Sequence, residues 1–311
     1  MSASDAEAVT APVRIGRQIA GLPPASFFVV SAVFHYLGPS FAVLLFAHVS
    51  VLGVAWLRIA SAAVVFAVWR RPWRMFLRLG WKDRWILIAL GAVLAAMNSL
   101  FYLAVDRLPL STVGAIEFLG TVVLAAIGTR TRRNVLALVL AVGGVAALTD
   151  VRIVGEPLGF VFAFANCAGF MLYVVLGHRI ANRSVEGTEG EPRDPMSRID
   201  QLGAAMIVAA VIATPVGVAG AVPAFAHPTW LLWGIGVGLC SSVIPYVTDQ
   251  LAMARIRRAT FALLLAILPA TATLVGLLVL RQVPSGQDLV GIALVVAGVA
   301  VHQERADAPD T

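Results

Sequence analysis

Apolar runs of about twenty residues, the length a helix needs to cross a bilayer, recur along almost the whole chain. Ten can be counted, at roughly 26–47, 50–69, 85–105, 109–128, 134–149, 157–178, 200–222, 229–252, 260–280 and 288–303. A soluble fold would have to cover them all, yet only 13% of residues are charged, against about 25% in soluble domains. The runs are continuously apolar, without the alternation of lipid-facing strands, which excludes a porin-like barrel. The expectation is an all-α integral membrane protein with ten transmembrane helices.

Basic residues test that count. With the first residues inside the cell, nineteen Arg and Lys fall in cytoplasmic segments, and only Arg107, Arg152 and Arg281 fall on the other side, with Arg58 left inside a span. Basic residues gather on the cytoplasmic side of membrane proteins, so the asymmetry supports ten spans with both termini cytoplasmic. The net charge of +6 is therefore read as topology, and nucleic acid is excluded as a partner. Trp69, Trp73, Trp81, Trp85, Trp230 and Trp233 stand at span ends, where an interfacial aromatic belt belongs.

The halves repeat. Ala104 to Thr112 matches Ala252 to Thr260, and Gly143-Gly144 at the end of span five matches Ala297-Gly298 at the end of span ten. Five spans per half is an odd number, so the second half enters the membrane from the opposite side. Inverted repeats of this kind place substrate near the midplane between the halves. The chain divides into a cytoplasmic tail at 1–25, a first five-helix repeat at 26–149, a short external connection at 150–156, a second repeat at 157–304 holding a flexible cytoplasmic loop at 182–198, and a tail at 305–311. Spans five and ten, rich in Gly, Ala and Val, suit peripheral packing or a homodimer contact.

Polar groups inside the spans are the candidate site. Glu117 lies eight residues into the fourth span, about 12 Å deep at about 1.5 Å per residue. An intramembrane carboxylate is costly and marks function by default. It reads as a site for a substrate amine or for a coupling proton, or else as a hydrogen bond between helices. Asn98 is at similar depth in the third span, with Tyr102 one turn further on the same face. His35 and Tyr36 in the first span, and Asn166 and Tyr173 in the sixth, are candidate cavity residues at related places in the two repeats. Ser241, Ser242 and Tyr246 surround Pro245, which predicts a broken or kinked helix with freed carbonyls. Arg58 is an anion site or half of a buried ion pair. Asp249 is expected to pair with Arg255 or Arg257. The expected cavity is lined by spans one, three, four, six, eight and nine.

Three stretches resemble a known family. They are Gly38-Pro39-Ser40 through Phe46 to Leu57-Arg58; Met97-Asn98, Phe101-Tyr102, Leu108-Pro109-Leu110, Glu117-Phe118 and Gly120; and Ser241-Ser242, Pro245-Tyr246, Ala252, Arg255 and Thr260-Phe261. Together they resemble the EamA family of the drug/metabolite transporter superfamily, and within it the threonine/homoserine exporter group. The resemblance implies a multi-pass secondary transporter of the bacterial inner membrane that exports amino acids or related small metabolites, with no cofactor. The chain departs from the group at Val43, where a lysine is common, and at Tyr36, where another polar residue is. Leu268 and Arg281-Gln282 replace glutamate-bearing pairs, and Thr121 replaces a proline. These departures make a less polar or cationic metabolite or drug the alternative cargo.

Other classes lack their residues. An intramembrane enzyme would need a zinc-binding His-Glu-x-x-His, a Gly-x-Ser-x-Gly elbow or an acidic pair at metal-binding spacing, and the sequence has none. Without a P-loop, ATP-driven transport is not expected. Cys167 and Cys240 both fall in apolar runs, as structural thiols do, and no metal-ligand spacing occurs. The partners are thus a small-molecule substrate and the lipid bilayer, and the reading is a transporter rather than an enzyme.

Overall fold

The computed structural model describes residues 24–128, 131–150, 156–183, 195–253 and 268–301. Among these the protein is all-helical, without a strand. The helices are α1 (Pro24–Leu45), α2 (Val51–Arg70), α3 (Trp73–Arg78), α4 (Trp81–Val105), α5 (Leu110–Gly128), α6 (Arg132–Asp150), α7 (Pro157–Arg183), α8 (Pro195–Ala226), α9 (Pro228–Gly238), α10 (Ile244–Met253), α11 (Leu268–Leu280) and α12 (Gly286–Val301). One π-helical turn, Leu239–Val243, joins α9 to α10. Among the described residues, five segments are long and apolar enough to cross a membrane: Val51–Arg70, Trp81–Val105, Pro157–Gly177, Ile199–Ala226 and Pro228–Asp249. That set makes the chain a multi-pass helical membrane protein.

Local chemistry explains where the helices begin and end. Ser50 caps α2, its Oγ accepting from the Gly53 N–H at 3.2 Å. The helix stops at Arg71, which takes the left-handed conformation (φ 51°) before Pro72. Helix α3, only six residues long, lies in what the sequence pattern treats as a loop. The loop expected at 182–198 is shorter at both described ends. Helix α7 runs on through Arg183, and α8 starts at Pro195, since proline presets the first helical residue. The Arg70–Asp200 pair, bonded twice at 2.7 and 3.0 Å, ties that extension of α8 to the end of α2. Arg255, Arg257 and the Thr260-Phe261 stretch lie outside the described residues, as do 1–23 and 302–311.

Small residues let the helices touch. Helices α2 and α8 cross at Gly53, Gly217 and Gly220, where a side chain would run into the opposing backbone or Trp56. The Trp56 indole N–H donates to Thr214 Oγ1 across the same seam at 2.9 Å. Helices α6 and α12 meet in the same way at Gly144, Gly291 and Gly298. The other contacts come in matched sets: α4 packs on α7 while α9–α10 packs on α1, and α5 packs on α7 while α11 packs on α1. Outward faces carry Val135, Leu136 and Val139 on α6 and Val211 and Val216 on α8, all exposed. Such an apolar exterior suits hydrocarbon and would be untenable in water. Trp69, Trp73, Trp81 and Trp85 are exposed at helix ends.

Candidate functional site

Six helices point polar groups at one cavity, which holds about 40 Å³ for the centres of water-sized molecules. Helix α1 contributes His35 and Pro39, and α2 contributes Arg58. From α4 come Met97, Asn98 and Phe101, and from α5 Glu117. Helix α7 adds Asn166, Phe170 and Tyr173, and α10 adds Tyr246. The spacings 97, 98, 101 and 166, 170, 173 each describe one face of a helix. Close helix approach places the α7 face: Gly120 of α5 lies against Cys167 and Met171, and Gly169 lies against Met97.

Glu117 is buried, and its Oε2 has no hydrogen-bond partner among the described residues. Asn166 stands beside the carboxylate, yet neither atom of its amide is bonded. The hydroxyls of Tyr36, Tyr102 and Thr112 are likewise buried without a hydrogen-bond partner among the described residues. Buried polar atoms are normally satisfied, so five such residues on α1, α4, α5 and α7 are a concentration that needs a cause. Asn98 donates its Nδ2 to the Leu94 carbonyl at 2.7 Å, one turn back in its own helix. Its Oδ1 therefore remains as an acceptor. Glu117 and Asn98 do share the cavity, but they do not bond to each other.

Arg58 is held by the π turn. Proline has no N–H, so Pro245 leaves the carbonyl four residues back, that of Ser241, without its helical donor. The helix re-registers: the Ile244 N–H reaches back five residues to the Leu239 carbonyl. The Arg58 Nη2 donates to the freed Ser241 carbonyl at 3.1 Å, and its Nε donates to Ser242 Oγ at 2.9 Å. Gly38 of α1 packs directly on Ser241, and Gly238 packs on the Arg58 carbonyl, so both neighbours close tightly round the turn. The guanidinium lies over the Tyr102 ring at 5.4 Å. It forms no ion pair with a described carboxylate.

The sequence-derived residues divide accordingly. Glu117, Asn98, His35, Asn166, Tyr173 and Tyr246 line the cavity. Ser241 and Ser242 do not; they anchor Arg58. Tyr36 packs on Gly114 of α5 and edge-on to His35, and Tyr102 lies between Arg58 and Phe46. Neither phenol is among the residues that line the cavity. The second span, not expected at the cavity, reaches it through Arg58. Met97, Phe101 and Phe170 were also missed, although 101 and 170 lie three or four residues from Asn98 and Asn166. Asp249 has no ion pair among the described residues. No cluster of potential metal ligands occurs among them either.

The EamA-like transporter family matches residues 193–302. The chain contains an EamA domain. Similarity to two named proteins extends beyond those residues. The threonine/homoserine exporter RhtA of Salmonella typhimurium (strain LT2) is 29% identical over 266 residues, covering 84% of each chain. RhtA of Escherichia coli (strain K12) is 29% identical over 264 residues, with the same coverage. A crystal structure of another protein, 19% identical, shares the fold with a TM-score of 0.56 over 89% of this chain and 96% of that one.

Proposed function

We propose that the chain is a secondary active exporter of small amino-acid-like metabolites, of the threonine and homoserine class, in the bacterial inner membrane. The observation that carries this reading is Glu117, a buried carboxylate with an unpartnered oxygen facing a cavity closed by helices of both halves. The kinship with exporters named for threonine and homoserine supports the cargo class. Ten crossings as two inverted five-helix repeats, with both termini cytoplasmic, complete the reading. The matched helix contacts support it, α2 against α8 and α6 against α12 being mates under the exchange of halves. Asn98 and Tyr246, separated by the repeat offset of 148 residues, both line the cavity.

In this mechanism Glu117 binds either a proton or the ammonium group of the cargo, never both. Rocking of one half against the other carries the occupied cavity from one face of the membrane to the other. The cavity as seen holds a few waters at most, so loading requires the helices to part. Glu117→Gln keeps size and most hydrogen bonding while removing charge. In proteoliposomes, proton-gradient-driven amino acid efflux should fall about tenfold or more, with folding preserved. An unchanged rate and an unchanged gradient dependence would reduce Glu117 to a structural group.

A second cargo, cationic or less polar, draws support from the apolar walls Met97, Phe101 and Phe170. Competition by cationic drugs in the same vesicles separates it from amino acid export.

A further inference from the structure

Two buried groups of opposite charge face this cavity from different helices, Arg58 on α2 and Glu117 on α5. They do not meet as an ion pair. A guanidinium offers five N–H donors, and Arg58 uses one on Ser242 and one on the Ser241 carbonyl. Both bonds fix the head by its Nε and Nη2; among the described residues no hydrogen bond takes Nη1, which lies beside the Tyr102 phenol. What remains is a fork-shaped set of donors, the geometry that binds a carboxylate through two parallel bonds. Lysine could not supply it, because its ammonium is a point charge.

The other pole is an acceptor set. Glu117 has a free Oε2, Asn166 has both amide atoms unbonded, and Asn98 has its amide nitrogen already committed to Leu94. An ammonium has three donors and no acceptor, and these oxygens can take them.

We infer that the cavity is a zwitterion clamp, in which Arg58 holds the α-carboxylate of the cargo and Glu117, with Asn98 and Asn166, holds its α-ammonium. This deepens the export reading and rests on it. Met97, Phe101 and Phe170 are the apolar part of the lining that the cargo's side chain would meet, so the cargo class is a free α-amino acid. The π turn is then part of the binding site at one remove, because it aims Arg58.

The test uses the purified protein in proteoliposomes with three probes. They are L-threonine, the amino alcohol that lacks its carboxylate, and the hydroxy acid that lacks its amine. The wild type should favour threonine over each analogue by about tenfold or more. Arg58→Gln should collapse the preference over the amino alcohol to within about twofold, and Arg58→Lys should restore only part of it. Glu117→Gln should collapse the preference over the hydroxy acid instead. A wild type that carries the amino alcohol as well as threonine overturns the clamp while leaving export intact. So does an Arg58→Gln protein that slows every probe with the preference unchanged, which would make Arg58 a mere support for the π turn. If no probe moves in wild-type vesicles, the export reading itself fails, and the clamp with it. The wild-type preference is decisive even if Arg58→Gln does not fold.

Discussion

Gly38 is a tight link between the fold and the candidate site, and replacing it by alanine should disturb both. A Cβ there would lie 2.7 Å from the Ser241 backbone nitrogen and 2.9 Å from its Cα, where ordinary contact begins at 3.4 Å. Helix α1 and the π turn must then separate by roughly 0.7 Å, because neither neighbour is the flexible end of a side chain. If the turn moves, the Arg58 bonds of 2.9 and 3.1 Å lengthen past the ~3.2 Å limit of a good N–H···O bond. Overpacking of this kind costs about 1–3 kcal/mol. Detergent-solubilised Gly38→Ala should melt below the wild type, and its apparent affinity for amino acid should fall by about fivefold or more. Gly236→Ala is the control, since it adds a methyl in the helix leading to the same turn with nothing within 4 Å. It should be neutral or slightly stabilising, as helix propensity favours alanine over glycine. Gly38→Ala with wild-type melting and transport would show that the contact between α1 and the π turn is slack.

The Gln282 Oε1 accepts from the Leu110 N–H at 3.1 Å and so caps α5 from another helix pair; Gln282→Ala should cost about 1 kcal/mol of thermal stability, and an unchanged melting midpoint would count against the cap. Cysteines placed at Arg107 and Arg132 should label from opposite sides of the membrane, and labelling from one side would overturn the proposed topology. Pro245→Ala gives residue 245 an N–H that competes with Arg58 for the Ser241 carbonyl. It should weaken amino acid affinity with little loss of stability, and unchanged transport would mean that Arg58 does not depend on the freed carbonyl.

The buried polar residues were legible in the sequence because a span of hydrocarbon-soluble side chains makes any amide or carboxylate stand out. Glu117, Asn98 and Asn166 reach the cavity for that reason. Phe170 and Met97 line it equally, but an apolar residue among apolar neighbours carries no contrast. Periodicity gives the face of a helix and not the depth of a side chain. Tyr102 shares its face with Asn98, yet its ring lies under the Arg58 guanidinium and is not part of the cavity lining. The break at Pro245 was legible from a missing N–H. Its consequence was not, because the donor that takes the freed carbonyl lies 183 residues away. In the fold, α3 was missed because six residues show no period.

The arrangement of Arg58 is informative because it is not the one stability alone would favour. Burying a guanidinium is expensive, and the usual compensation is a carboxylate in direct contact. Glu117 lines the same cavity and would serve. Instead, neutral partners, a serine hydroxyl, a backbone carbonyl and an aromatic face, hold the cation on its own side. Those partners exist only because Pro245 breaks the α-helical register and Gly38 and Gly238 let two helices close round the break. A direct Arg58–Glu117 pair would cancel both charges and leave the cavity nothing with which to recognise an ionic cargo. Kept apart, the two remain separate poles, and a molecule carrying one charge of each sign can neutralise both at once. The helix irregularity thus does for the binding site what a salt bridge could not: it satisfies enough of Arg58 to keep it buried, and leaves enough of it free to bind.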